Sequence, residues 1–332
     1  MPVTFTFEPA STEPAFSIAP HTTRMVAAYA DRTARIHLFT DVLEHDRDPS
    51  YDVLASWDAH IDYYAGDDVA SLARVGTVAE RSPDHDAVDS IGAASPGAVV
   101  VDNRVLLFYA CRGPGSPASP PRIDELHGRI MLASAPVDPN GAPSGAFENH
   151  GVAVDLFGDV GSVRLDDPCA FVADDAVHLY FKAIGTGEAM ENRVVCCATR
   201  PAADPIGPYE PRHEPVLNVD GGGEMPRAFV CVWTRHMLYR RFSPTGTRWG
   251  HYISDDGLSW RIRDDHVFDG AGPTPGRAAT DVCPIWTPFA DEPFTQALCA
   301  GLDDGSFGDA GRIKQWLYDV KTVPTRERGG TS

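Results

Sequence analysis

No stretch of the sequence approaches the roughly 20 consecutive apolar residues that cross a bilayer as a helix. The start, MPVTFTFEPASTEPAF, carries Glu8 and Glu13 and has no basic region ahead of an apolar run, so it does not read as a secretory signal. There is no C-x-x-C pair among the seven cysteines, and Cys196 and Cys197 are adjacent, which suits neither a disulfide framework nor a zinc ribbon. Buried free thiols in a reducing compartment are the expectation, and with them a cytoplasmic location. H-E-x-x-H, G-x-S-x-G and a phosphate-binding glycine loop are all missing; Gly221 to Gly223 read as a flexible approach to Glu224. Basic residues are few. Against 47 Asp and Glu there are 28 Lys and Arg, a formal charge of −19 that repels nucleic acid and anionic membrane, so neither is an expected partner.

Turn formers are abundant, with 30 glycines and 28 prolines, while long helical periodicity is scarce. What recurs is a short strand rich in apolar and aromatic residues: ARIHLFTDV (34–42), RVLLFYACR (104–112), AVHLYFKAIG (176–185), RHMLYRRFS (235–243) and, more weakly, PFTQALCAGL (293–302). Each follows another short strand across a polar turn such as Asp102-Asn103 or Asp174-Asp175, so each pair reads as a hairpin. A third strand follows in at least three units, as in RIMLASAP, VVCCATRP and WGHYISDDGLSW. Unit starts fall near His21, Pro96, Pro168, Pro226 and Pro284. The same phrase repeated in order predicts an all-β, five-bladed β-propeller, read as one domain over residues 1–332.

In a propeller the innermost strands begin at the funnel, and each second strand returns to the same face. This sorts the polar residues. First-strand starts offer His21, Ser95, Asp166, Asp167, Glu224 and Asp281; second-strand ends offer Asp41, Arg112, Lys182, Arg240 and Arg241, with Arg227 just after Glu224. Carboxylates and cations from distant positions should therefore meet in one pocket. In so acidic a chain, cations gathered on one face point to an anionic group on the substrate or to charge balance for the pocket's own carboxylates. Strand alternation sends one of Arg240 and Arg241 away from the funnel.

LDDPCAFVADDAVHLYFKA resembles the third-blade phrase of the five-bladed glycoside hydrolases of families 32, 43, 68 and their relatives. GGGEMPRAFVCVWTRHMLYRRFS is similar to their fourth blade, DSIGAASPGAVVVDNRVLLFYACR to a family-32 second blade, and WGHYISDDGLSW to their recurring hairpin. The resemblance spans roughly His21 to Val320. It implies an enzyme acting on a glycoside or sugar-like small molecule, with Glu224 as general acid of raised pKa and Asp167 as the carboxylate that orients sugar hydroxyls. Ser95, Arg112, Asp166, Lys182, Arg227 and Arg240 would contact substrate. The first blade departs from the pattern: between Glu13 and Asp31 there is no carboxylate where the family has its nucleophile or base. Asp41, Asp281 or His21 is left to supply it. The same gap keeps open a cyclase, lyase or isomerase built on the funnel acid, or a sugar-binding protein without turnover. No cofactor is required; a structural calcium is compatible with such folds, and the sequence identifies no ligands for it.

Overall fold

The computed structural model describes residues 3–11, 13–17, 22–43, 59–84, 86–114, 126–185, 193–231, 233–243, 246–268, 281–302 and 313–324. Apart from a single 3-10 turn at Val69–Ser71, the regular elements among them are strands. The first is β1 (Val3–Pro9). Then come β2 (Thr22–Ala30), β3 (Ile36–Leu43), β4 (Ala59–Gly66) and β5 (Ala73–Ala79), followed by β6 (Gly92–Val101), β7 (Arg104–Pro114), β8 (Leu126–Pro136) and β9 (Glu148–Val154). The third group is β10 (Arg164–Ala173), β11 (Ala176–Ile184), β12 (Arg193–Pro201) and β13 (Glu210–Pro211); the fourth is β14 (Gly223–Cys231), β15 (Thr234–Ser243), β16 (Gly246–Ser254) and β17 (Arg261–Phe268). The last strands are β18 (Asp281–Trp286), β19 (Gln296–Leu302) and β20 (Ile313–Pro324).

Hydrogen bonding groups these strands into antiparallel units of four, taken in chain order from β2, β6, β10 and β14. The fifth unit closes differently. β18, β19 and β20 are completed at the outer edge by β1, whose seven residues pair from Val3↔Pro324 to Pro9↔Tyr318. The inner strands β2, β6, β10, β14 and β18 touch in succession, and β18 returns to β2 through Ile285↔Ala28 and Trp286↔Tyr29. This is the radial arrangement of a β-propeller. The hairpins read from the sequence are present, with the Asp102, Asp174 and Asp175 turns at φ 51°, 50° and 56°, the left-handed region that tight hairpin turns require. All seven cysteines are buried free thiols.

A repeated irregularity positions the site. β2, β6, β10 and β14 each lose register against the next strand, at Thr23/Val26, Ala94/Gly97, Asp166/Cys169 and Glu224/Arg227. In three of them the bulged residue has positive φ, Ser95 at 52°, Asp167 at 53° and Met225 at 58°, and a proline follows. A proline cannot donate to the ladder and so fits where the ladder is interrupted, while the bulge turns neighbouring side chains toward the axis. Gly97 lies at this crossing, where a Cβ would overlap the Pro168 carbonyl.

Between the units lie apolar seams. One packs Leu106, Phe108, Leu132, Leu179 and Phe181; another packs Phe5 of β1 with Phe229, Trp249, Phe294 and Trp316. Phe5 also covers a buried pair, His236 and His251, whose Nδ1 and Nε2 are 2.8 Å apart. Burial pushes His236 down to about 4 and His251 to about 3, so both are neutral near pH 7. Phe5 is 3% exposed, with ring centroids 5.3 Å from Phe229 and 5.5 Å from Phe294. Phe5→Ala should therefore lower unfolding free energy by about 3–5 kcal/mol in urea titration. A loss below about 1 kcal/mol would show that β1 does not close the ring.

Candidate active site

The bulges put one residue of each of β2, β6, β10 and β14 in an equivalent position just before the kink. In the third and fourth units that residue is a carboxylate facing a cation across the strand pair: Asp166↔Lys182 and Glu224↔Arg240. Glu224 thus occupies the register of Asp166, while Asp167 occupies that of Met225. The Met225 N–H donates to Asp167 Oδ2 at 3.2 Å, tying the two bulges together.

Lys182 stands between these carboxylates. Its Nζ is 2.8 Å from Asp167 Oδ2, 3.3 Å from Glu224 Oε2 and 3.5 Å from Asp166 Oδ2. Glu224 is further held by Arg193 Nη1 at 2.9 Å and Arg240 Nη1 at 2.7 Å. Asp166 is paired with Arg112 and lies 3.2 Å from Arg164 Nε. Asp166 and Arg112 are each 1% exposed, so this pair is away from solvent. Burial opposes ionisation of Glu224, but Lys182, Arg240 and Arg193 outweigh it and hold the carboxyl below its ordinary range. The raised pKa expected of this residue as an acid is therefore not its resting state. The same contest at Asp166 is won by Arg112, Lys182 and Arg164, which hold its carboxyl well below normal.

The remaining candidates separate. Asp41 is fully buried opposite the β2 bulge; its Oδ1 accepts the Met25 N–H at 2.7 Å and its Oδ2 lies 3.5 Å from the Ser95 N. The Ser95 hydroxyl lies 3.2 Å from Met25 Sδ. Asp281 meets Arg227, whose Nη2 lies 2.7 and 2.8 Å from its two oxygens, and burial still raises the Asp281 carboxyl. Arg227 also donates from Nε to the Val282 carbonyl at 3.1 Å and is 3% exposed, so it serves the axis of the ring. Arg240, not Arg241, reaches Glu224. His21 lies outside the described residues. Arg193 and Arg164 were not anticipated. Each is the first residue of a strand in the third unit, and that position was the available signal.

Toward the other ends of the inner strands the axis turns apolar. A cavity of about 260 Å³ is lined there by Tyr29, Phe171, Phe229 and Trp286. Asp291 also borders this cavity, but the clustered ionic groups lie at the first end. Among the described residues, no group of three or more His, Cys, Asp or Glu side chains is arranged to hold a metal ion. The place where Asp166, Asp167 and Glu224 converge is taken by the Lys182 ammonium. No helix among the described residues is long and apolar enough to cross a membrane.

The fold has clear likenesses among solved structures. A family 117 glycoside hydrolase produced by the marine bacterium Zobellia galactanivorans aligns with a TM-score of 0.70 at 15% identity, over 97% of this chain and 90% of that one. The catalytic domain of a Coprinopsis cinerea family 62 α-L-arabinofuranosidase gives 0.62 at 13% identity, over 96% and 97%. An α-L-arabinofuranosidase from Lactobacillus brevis gives 0.64 at 11% identity, over 96% and 94%. No family model and no curated protein matches the sequence. The resemblance to propeller glycoside hydrolases drawn from the strand phrases is borne out at the level of fold.

Asp166→Asn would take a carboxylate from Arg112, Arg164 and Lys182 while nearly preserving volume. Breaking a buried ion pair in this way costs about 3–5 kcal/mol, so the urea midpoint should fall markedly. An unchanged midpoint would mean that Arg112 does not depend on Asp166.

Proposed function

We propose that the chain is a glycoside hydrolase-like enzyme that binds a sugar at the charged end of the axis, with Glu224 and Asp167 as its working carboxylates. The observation that carries this reading is their shared contact with Lys182. An ammonium 2.8 Å from one oxygen and 3.3 Å from the other sets an upper limit of about 6.1 Å on the separation of those oxygens. Retaining glycosidases hold their carboxyl groups about 5–5.5 Å apart, and inverting ones about 6.5–9.5 Å. The spacing favours retention.

In that mechanism Glu224 gives its proton to the leaving oxygen as the bond to the anomeric carbon breaks, and an Asp167 oxygen bonds to that carbon. Glu224 then takes a proton from water, whose oxygen displaces Asp167 and restores the original anomeric configuration. Asp41 and Asp281 fit a second carboxylate less well. Asp167 shares Lys182 with Glu224, whereas Asp41 accepts from the Met25 N–H near the β2 bulge and Asp281 pairs with Arg227. With the comparisons limited to fold likeness, the assignment of activity rests on this carboxylate pair.

One observation favours a second reading. Lys182, Arg193 and Arg240 surround Glu224 and favour its ionised form, which suits a base better than an acid, so the funnel could instead abstract a proton in an elimination or isomerisation. A panel of neutral, uronic and sulfated aryl furanosides and pyranosides, assayed with wild type, Glu224→Gln and Asp167→Asn, separates the two. The hydrolase reading expects cleavage with the anomer retained by NMR and a kcat loss of roughly 10²–10⁴-fold in Glu224→Gln. Full activity in Glu224→Gln, or no cleavage of any glycoside by wild type, would overturn it.

A further inference from the structure

A general acid must carry a proton, yet Glu224 is surrounded by three cations. Lys182 is divided among Glu224, Asp167 and Asp166, whereas Arg193 and Arg240 each pair with Glu224 alone among the carboxylates. With Asp166 and its partners included, Lys182, Arg193, Arg240, Arg112 and Arg164 face Asp166, Asp167 and Glu224, leaving local positive charge in a chain of net charge −19. The two guanidinium groups are also built as a pair. Both lie over the Phe242 ring, with Cζ 5.2 Å from its centroid for Arg193 and 5.8 Å for Arg240. That stacking supports them independently of Glu224. Arg240 is 5% exposed and its buried Nε has no hydrogen-bond partner, while the Arg193 side chain is 20% exposed and borders solvent. Two adjacent guanidinium groups, one with donor capacity unused and one open to solvent, match the geometry by which arginine binds carboxylate, sulfate or phosphate.

We propose that the substrate of this funnel is an anionic sugar, and that its carboxylate or sulfate draws Arg193 and Arg240 away from Glu224. The inference rests on the reading of the funnel as a sugar site. Once the two arginines serve the substrate, Glu224 keeps only Lys182, which it shares with Asp167 and Asp166. The other facing group is Tyr239, whose hydroxyl is raised by burial, by Tyr252 and by Glu224 itself. Burial then favours the neutral carboxyl, and Glu224 takes a proton from solvent. Binding of the correct substrate arms the acid; a neutral sugar leaves it ionised.

The test is isothermal titration calorimetry with glucuronate, glucose 6-sulfate and glucose at about pH 5.5, above the ordinary glutamate range, in buffers of different ionisation enthalpy. The two anionic sugars distinguish carboxylate from sulfate recognition. At least one should bind ten times or more tighter than glucose, with proton uptake by the protein. Arg193→Gln, checked for folding by thermal melt, should lose about 10–100-fold in affinity, and Arg193→Lys should recover part of it. Glu224→Gln should bind the anion at least as tightly as wild type, with no proton uptake. Equal affinity for glucose and both anions, unchanged binding in Arg193→Gln, or binding without proton uptake in wild type would overturn the inference. Cleavage of neutral glycosides without any preference for charge would remove this inference alone. Absence of all hydrolysis would remove the enzymatic reading and leave anion binding and proton uptake still measurable.

Discussion

The Lys182 ammonium is only 6% exposed at its side chain and faces Asp166, Asp167 and Glu224 at once. Three carboxylates brought this close would repel one another and raise their own pKa values, as carboxylate pairs do where no cation intervenes. Buried cations reverse that outcome, with Lys182 common to both sites. Together with Arg112 and Arg164 it permits Asp166, and together with Arg240 and Arg193 it permits Glu224, to remain ionised, and Asp166 in turn fixes Arg112, a guanidinium with almost no access to water. Removing one member exposes the desolvation cost of the others, so the cluster is a cooperative unit rather than a sum of pairs.

This unit exists because the inner strands carry bulges at matching positions. A regular strand would alternate Asp166 and Asp167 to opposite faces. The kink at Asp167-Pro168 instead lets both approach Lys182, and the equivalent kink at Met225-Pro226 places Glu224 on the same ammonium from the next unit. The ring must be closed for these strands to stay adjacent. Closure is non-local: β1 pairs with β20 across almost the whole chain, and Phe5 seals the seam over two neutral histidines. At the charged end the fold gathers ionic groups, and further along the axis Arg227 and Asp281 neutralise each other before the lining becomes apolar.

Much of this was legible in the sequence. Repetition of the apolar strand pairs, with prolines at 96, 168 and 226, announced equivalent units, and the position of each polar residue within its phrase brought Asp166, Asp167, Lys182, Glu224 and Arg240 to one site. Pairwise phrases could not show the register inside the bulge, so the equivalence of Glu224 with Asp166 emerged only from the paired strands. Arg193 and Arg164 were missed because each lies one residue ahead of a recurring phrase, although their place at a strand start was a usable signal. β1 was hidden for a different reason: its V-T-F-T-F alternation marks a strand, but its partner lies more than 300 residues away. The sequence placed Lys182 and Arg240 near Glu224 but not Arg193, nor the contacts by which all three hold its carboxyl below the ordinary range.

Whether Lys182 and the two arginines govern Glu224 can be measured directly. Carbon-13 NMR titration of the Glu224 carboxyl in the free protein, with Lys182→Met for comparison, reports the charge state on which the account depends. The account predicts titration below the ordinary glutamate value of about 4.3 in wild type, and a clear upward shift in Lys182→Met. A wild-type carboxyl that titrates at or above that value would contradict it.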